Sequence, residues 1–286
     1  MNISSDVIRS IVELALREDC GQGDLTTLAV IPATAQVEVQ AVMREAGVAA
    51  GLPVFAAVFA AVDPSLVVTP RVAEGATVAA GTTIAQIAGN ARSILTGERV
   101  ALNFIQRMCG IATLTARYVA AVQGTAAHIL DTRKTTPGLR VLEKYAVRMG
   151  GGRNHRFGLY DGVMLKDNHL AVLAAQGVDL SEAIRRAKAA VGPMVRIEVE
   201  VETVEAAQQA AVAGADMILL DNMPPDMMRA AIQLINGQAQ CEASGGISLE
   251  TVRAVAETGV DYISVGALTH SARALDIGLD MRIANS

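Results

Sequence analysis

The sequence predicts an α/β protein built around an open, incomplete parallel α/β barrel. Three observations carry this expectation. Beyond residue 126, six short apolar runs, Ala127–Leu130, Val163–Leu165, Val195–Val199, Met217–Leu220, Cys241–Ala243 and Tyr262–Val265, each end in a polar or glycine-rich cluster, and most lead into a helical pattern. The last four begin about 20 to 24 residues apart, the length of one strand-loop-helix unit with short connections. The composition is 51% hydrophobic but 3% aromatic, with no Trp, so the core has to come from Ala, Val, Leu, Ile and Met. Such small side chains let helices approach parallel strands closely. A complete barrel has about eight strands; with six legible, closure is not expected.

The segments ahead of the barrel read in order. Val7, Ile8, Ile11, Val12, Leu14, Ala15 and Leu16 recur with helical period, giving an amphipathic helix that stops near Gly21. Its charges, and the lack of an apolar core or small-residue cleavage site, give no export signal. The uncharged run Ala46–Val62 contains Gly51 and Pro53 and is shorter than the roughly 20 apolar residues of a membrane span. It reads as a buried helix with Pro53 near its first turn. Val37–Met43 alternates as a strand, and Val67–Ala88 holds short β runs around the turns Glu74-Gly75 and Ala80-Gly81. No lysine stands at the turn to carry a biotinyl or lipoyl group, so this stretch is a plain scaffold. Ser93–Val122 is one long helical pattern, with Gly110 a break or a point of close packing. Within the barrel, Asp179 and Glu182 form a capping box, Ser248 precedes a helix, and Gly214 and Gly259 close helices.

With 24 Lys and Arg against 29 Asp and Glu, the net charge is −5, which argues against a general nucleic-acid coat. Cys20, Cys109 and Cys241 are odd in number and far apart, matching neither a disulfide framework nor a zinc pattern, so a reducing, cytoplasmic setting is expected.

In α/β barrels the working residues stand at the C-terminal ends of the strands. Those ends supply Asp131, Thr132, Arg133 and Lys134; Lys166, Asp167, Asn168 and His169; Glu200; Asp221 and Asn222; Ser244, Gly245 and Gly246; and the run from Gly266 to Ser271. Between Asp131 and Leu170 lie Arg133, Lys134, Arg140, Lys144, Arg148, Arg153, Arg156 and Lys166, a third of the 24 basic residues of an acidic chain. Arg140, Lys144 and Arg148 have helical spacing and read as a solvated helix face. Arg133, Lys134, Arg156 and Lys166 follow strands or sit in the glycine-flanked loop GGGRNHRFG, where no helical surface accounts for them. Paired arginines suit two carboxylates, because the guanidinium fork matches a carboxylate, whereas lysine is a point charge suited to phosphate oxygens. His155, beside Arg156, is placed to hydrogen-bond the same ligand.

Glu200 and Asp221 end adjacent strands. Such acids hold magnesium through its water shell, bind ribose hydroxyls and stabilise positive charge on a sugar carbon, or else simply pair with local cations. Glu198 and Glu202 alternate with Glu200, and Glu198 shares its face, so the choice rests on register. SGGIS and VGALTHS place small-residue loops after two neighbouring late strands, where backbone N–H groups and a helix N-terminus cradle a phosphate.

The runs EDCGQGDLTT, GERVALNFIQRMCGIAT, DTRKTTPGLRVLEKYAVRMGGGRNHRFGLYDGVMLKDNH, IEVEVE, ILLDN, EASGGI and YISVGALTHS closely resemble the quinolinate phosphoribosyltransferases, from about Glu18 to Ser271. The resemblance implies an N-terminal α/β sandwich domain, residues 1–112 with 272–286 packing back on it, and a barrel domain, residues 113–271. It implies a cytoplasmic homodimer or higher oligomer with shared active sites, converting quinolinate and phosphoribosyl pyrophosphate to nicotinate mononucleotide, pyrophosphate and CO2 in NAD biosynthesis. By the same resemblance, Arg133, His155, Arg156 and Lys166 form the quinolinate pocket, with Arg99 reaching in from the neighbouring subunit, and Thr132 counts among the substrate-binding residues. Lys134, Glu200 and Asp221 contact phosphoribosyl pyrophosphate and Mg2+, the two acids being the metal ligands. Ser244, Gly245, Gly246, Gly266 and His270 match the 5′-phosphate region. Lys134, Lys166, Glu200 and Asp221 are the expected catalytic set. Two other readings stand beside this one: a lyase using Lys166 as a Schiff-base nucleophile, and a non-catalytic homologue associated with molybdate transport.

Overall fold

The computed structural model describes residues 3 to 282. It divides into two compact units. The first takes in Met1–Ala116, Thr135–Gly151 and Ala267–Ser286, and the second Arg117–Lys134 and Gly152–Gly266. Residues 1–2 and 283–286, at the outer ends of the sandwich expected at 1–112 and 272–286, lie outside the described residues. Segment 135–151, inside the 113–271 range expected for the barrel, groups with the first unit.

In the first unit, strands β1 (Gln36–Met43), β2 (Gly47–Val48), β3 (Val67–Pro70), β4 (Thr77–Val78) and β5 (Thr83–Asn90) are joined by the last strand of the chain, β12 (Ile277–Arg282). Their antiparallel sheet runs β12-β1-β5-β3, with β2 and β4 paired separately. The opening helix Ser5–Cys20 ends at Gly21 and packs on helix Leu52–Val62, which carries Pro53 in its first turn, both as the sequence predicts. The start of the second helix is capped from a distance: Glu74 accepts the N–H groups of Gly51 at 3.0 Å and Leu52 at 2.7 Å, where helical amides lack internal partners. Tyr145 Oη donates to the same carboxylate at 2.7 Å.

The long helix Ala91–Ala121 passes through Gly110 without a break. A Cβ at Gly110 would lie 1.9 Å from the carbonyl oxygen of Arg273, so this glycine serves close packing. Helix Arg140–Met149 departs from the expected solvated face, because Glu143 and Lys144 are each 1% exposed. The i, i+4, i+8 spacing marks one stripe of the helix, but spacing alone does not say which stripe faces solvent.

The second unit is a single parallel sheet of β6 (His128–Leu130), β7 (Val163–Leu165), β8 (Ile197–Val201), β9 (Met217–Asp221), β10 (Gln240–Ser244) and β11 (Tyr262–Ser264) in the order β6-β11-β10-β9-β8-β7. All six expected strands are present, and β6 and β7 form the two edges of an unclosed barrel. On β8, Ile197, Val199 and Val201 are buried on one face, while Glu198 and Glu200 take the other. Helix Val204–Val212 buries only alanines, Ala207, Ala210 and Ala211, as the aromatic-poor composition requires. The Asp179 carboxylate caps the N–H of Glu182 at 2.8 Å, but Glu182 turns to Arg185 and Arg186, so the expected capping box is half made. The helix expected just after Ser248 starts at Val252, behind a turn held by Ser248 and Thr251.

Substituting Gly110→Ala is expected to cost at least the roughly 1–3 kcal/mol of an overpacked site, because the obstructing atom is backbone. Thermal unfolding checks this; an unchanged melting temperature would contradict the close approach.

Candidate active site

The C-terminal ends of the parallel strands carry most of the predicted residues. Asp131 to Lys134 follow β6, Lys166 follows β7, Glu200 lies on β8, Asp221 ends β9, Ser244 ends β10, and Gly266 stands two residues beyond β11. Arg99 and His270 belong to the first unit. Arg99 is exposed on the long helix, and His270 is exposed with its Nδ1 2.6 Å from Ser271 Oγ.

The glycine-flanked loop is tied to the edge of the barrel. Arg153 N–H donates to Ile129 O at 2.8 Å and Asp131 N–H to Arg153 O at 3.2 Å, forming one parallel bridge beside β6. Asp131 is fully buried, and its carboxylate accepts Asn154 Nδ2 at 2.6 Å and the His155 N–H at 2.9 Å. A strand-end acid that looked available for a ligand therefore holds the loop that presents His155 and Arg156.

Both nitrogens of His155 have protein partners. Nδ1 accepts the Arg156 N–H at 2.7 Å, while Nε2 lies 3.1 Å from Glu198 and 3.4 Å from Glu242, which also accepts the Ser264 hydroxyl. Burial opposes a charged ring, but the hydrogen bonds to Glu198 and Glu242 outweigh it and draw the imidazole up to about 10. Burial, set against the His155 hydrogen bond, raises Glu198. The Arg156 N–H points at Nδ1, so on geometry the ring presents its Nε2–H to the two acids. The three ligand atoms lie within 4.8 Å of one another, close enough for a metal, yet an Nε2 that carries hydrogen cannot ligate. One oxygen of Glu198 and one of Glu242 are buried without a hydrogen-bond partner.

Arg156 donates to Gly162 O at 2.9 Å and lies 3.6 Å from Met164 Sδ. Burial and then the neighbouring Arg133 push its guanidinium below the ordinary arginine range, while Glu198 and Asp161 act the other way. The two predicted arginines are therefore close enough to repel. Lys166 Nζ pairs with Glu200 at 2.8 Å. Asp221 is raised, first by burial and then by Glu200 and Glu202, against the Asn222 hydrogen bond and Lys166. The register question resolves: Glu198 is buried against His155, Glu200 stands beside Lys166 and Asp221, and Glu202 is exposed.

Lys134 is exposed, its N–H donating to Thr132 Oγ1 at 3.0 Å. Asn222 adopts a positive φ of 54° and donates its N–H to Ser244 O at 2.9 Å. Gly245 has φ +92°, and a Cβ there would meet Asn222 Oδ1 at 2.1 Å, so only glycine fits. Because the following helix starts at Val252, the SGG loop offers backbone amides without the adjacent helix N-terminus that the sequence suggests. Glu242 went unassigned in the sequence, although it shares its strand face with Ser244; that parity was the available signal.

The model of the quinolinate phosphoribosyl transferase N-terminal domain matches residues 24–109, and that of the C-terminal domain residues 111–280. The nicotinate-nucleotide pyrophosphorylase (carboxylating) of Mycobacterium leprae (strain TN) is 45% identical over 282 residues, covering 96% of this chain and 98% of that protein. The mitochondrial quinolinate phosphoribosyltransferase (decarboxylating) 2 of Nicotiana glauca is 42% identical over 291 residues, covering 95% of this chain and 81% of that one. The crystal structure of NadC from Streptococcus pyogenes superposes with a TM-score of 0.93 at 43% identity, over 99% of this chain and 100% of the other.

Nitrogen-15 NMR of His155 is expected to show a ring that keeps its proton through neutral pH, in keeping with an imidazole drawn up to about 10. Titration near the ordinary histidine value would contradict the pairing with Glu198 and Glu242.

Proposed function

The chain belongs to the quinolinate phosphoribosyltransferase family, and on that premise we propose that it transfers phosphoribosyl from phosphoribosyl pyrophosphate to the nitrogen of quinolinate and releases CO2. The observation that carries the reading is the Arg156 guanidinium, pushed down by burial and then by the neighbouring Arg133, next to a separate Lys166–Glu200–Asp221 group on neighbouring strand ends. Two adjacent guanidinium groups are relieved by a dianion, and a pyridine 2,3-dicarboxylate presents two carboxylates in one plane.

In this reading Arg133 and Arg156 grip the carboxylates and aim the ring nitrogen at the anomeric carbon of the sugar. His155 acts through Arg156, since its own ring nitrogens are committed to Glu198, Glu242 and the Arg156 N–H. Lys166 joins the arginines at the quinolinate, Lys134 neutralises phosphate oxygens, Thr132 steadies the Lys134 backbone, and Ser244, Gly245, Gly246, Gly266 and His270 receive the 5′-phosphate. As pyrophosphate leaves, Glu200 and Asp221 stabilise positive charge on the sugar carbon. Their fit to a hard divalent cation rests on Asp221, whose carboxyl is raised first by burial and then by the nearby Glu200, a repulsion that Mg2+ would relieve. Bound there, Mg2+ would neutralise the departing pyrophosphate. Ribosylation makes the ring cationic, so the electron pair left when the carboxylate beside nitrogen departs as CO2 is stabilised until a proton takes its place.

The Schiff-base alternative would have to break the 2.8 Å ion pair of Lys166 with Glu200 before the amine could attack. We further take the enzyme to be a cytoplasmic homodimer in which Arg99 serves the partner's site. No helix among the described residues is long and apolar enough to cross a membrane.

Mixing the protein with quinolinate, phosphoribosyl pyrophosphate and Mg2+ is expected to yield nicotinate mononucleotide by mass spectrometry; none, from folded protein, would overturn the reading. Arg156→Ala is expected to raise the quinolinate KM at least tenfold, in keeping with loss of a charge-assisted pair, with phosphoribosyl pyrophosphate binding retained by calorimetry. Arg99→Ala and Lys134→Ala, each inactive, are expected to regain partial activity when their subunits exchange. Failure after demonstrated exchange would argue for self-contained sites.

A further inference from the structure

We propose that Arg107 and Glu143 form a positioning clasp that fixes two substrate-binding segments at once, the loop bearing His270 and the segment that follows Lys134. The assignment of those segments rests on the phosphoribosyl-transfer reading above. Arg107 projects from the long helix Ala91–Ala121. Its Nη1 donates to the Ala272 carbonyl at 2.8 Å and its Nη2 to the Thr269 carbonyl, so the guanidinium fork takes hold of the chain on both sides of His270 and Ser271. The remaining donors face Glu143, with Nε at 3.2 Å and Nη2 at 2.8 Å from Oε1. Glu143 is 1% exposed and in turn accepts the Thr136 N–H at 3.1 Å on Oε2 and the Thr136 hydroxyl at 2.8 Å on Oε1.

Every member lies in the first unit, and none needs to touch a ligand to act. Thr136 is two residues beyond Lys134, so fixing its backbone limits where that ammonium can reach. Holding Thr269 and Ala272 does the same for His270, which is exposed and meets Ser271 Oγ through its ring. Polar contacts that arrange binding groups before the ligand arrives remove an ordering cost from binding. Only arginine can do this: five donors in a planar fork serve two carbonyls and a carboxylate together, whereas lysine offers a single ammonium point. A buried acid satisfied by an arginine, a backbone amide and a hydroxyl is a network whose parts act as a unit.

The test compares Arg107→Lys, Thr136→Val and the double variant by steady-state kinetics, calorimetry with phosphoribosyl pyrophosphate, and thermal unfolding. Arg107→Lys is expected to weaken phosphoribosyl pyrophosphate about tenfold, in KM and in calorimetric Kd, with kcat lowered less. The double variant is expected to be no weaker than the worse single one, as members of one network are not additive. A clasp that merely supports the fold would lower the melting temperature and leave both KM and Kd within twofold of wild type, which would overturn the proposal. So would fully additive losses. Should Arg107→Lys fail to fold, Thr136→Val carries the test alone, with a two- to threefold weakening expected and none contradicting it. If wild type binds phosphoribosyl pyrophosphate but makes no nicotinate mononucleotide, the functional reading fails while calorimetry still decides the clasp.

Discussion

Burial and then the neighbouring Arg133 push the Arg156 guanidinium below the ordinary arginine range, while Glu198 acts the other way. The loop that carries Arg156 is held by buried Asp131, and His155 joins the Arg156 N–H to Glu198 and Glu242. A dianionic ligand would add counter-charge to these guanidinium groups.

The same logic explains the unclosed barrel. Edge strand β6 lacks a neighbouring strand on one side, so residues 153–156 take that place, tied by one backbone bridge and by buried Asp131. A closed barrel would leave no edge on which to hang this loop. Glycine supplies the matching freedom after β10, where Gly245 accepts the approach of Asn222 that no side chain would permit.

Much of this was legible in the sequence. Short apolar runs ending in polar or glycine-rich clusters marked all six barrel strands, and cations after strands or in a glycine-flanked loop marked Arg133, Arg156 and Lys166. What was not legible depends on direction rather than spacing. Lys144 has the same spacing as its exposed-looking neighbours yet points inward. Asp131 and Glu200 both end strands, but one turns to a backbone and the other to Lys166. Glu242 sits in an apolar strand without a partner nearby in sequence, since His155 and Ser264 reach it only through the fold. Arg107 and Glu143 are ordinary helix residues until the chain brings Thr269 and Ala272 to them.

The most direct measurement of the central claim is calorimetric titration of the wild-type protein with quinolinate and with nicotinate, which lacks the carboxylate beside the ring nitrogen. If paired arginines hold two carboxylates, nicotinate should bind about 100-fold more weakly, the scale of one charge-assisted pair in a desolvated site. Equal affinity for the two would mean that the second guanidinium grips nothing, and the account of the site would be wrong.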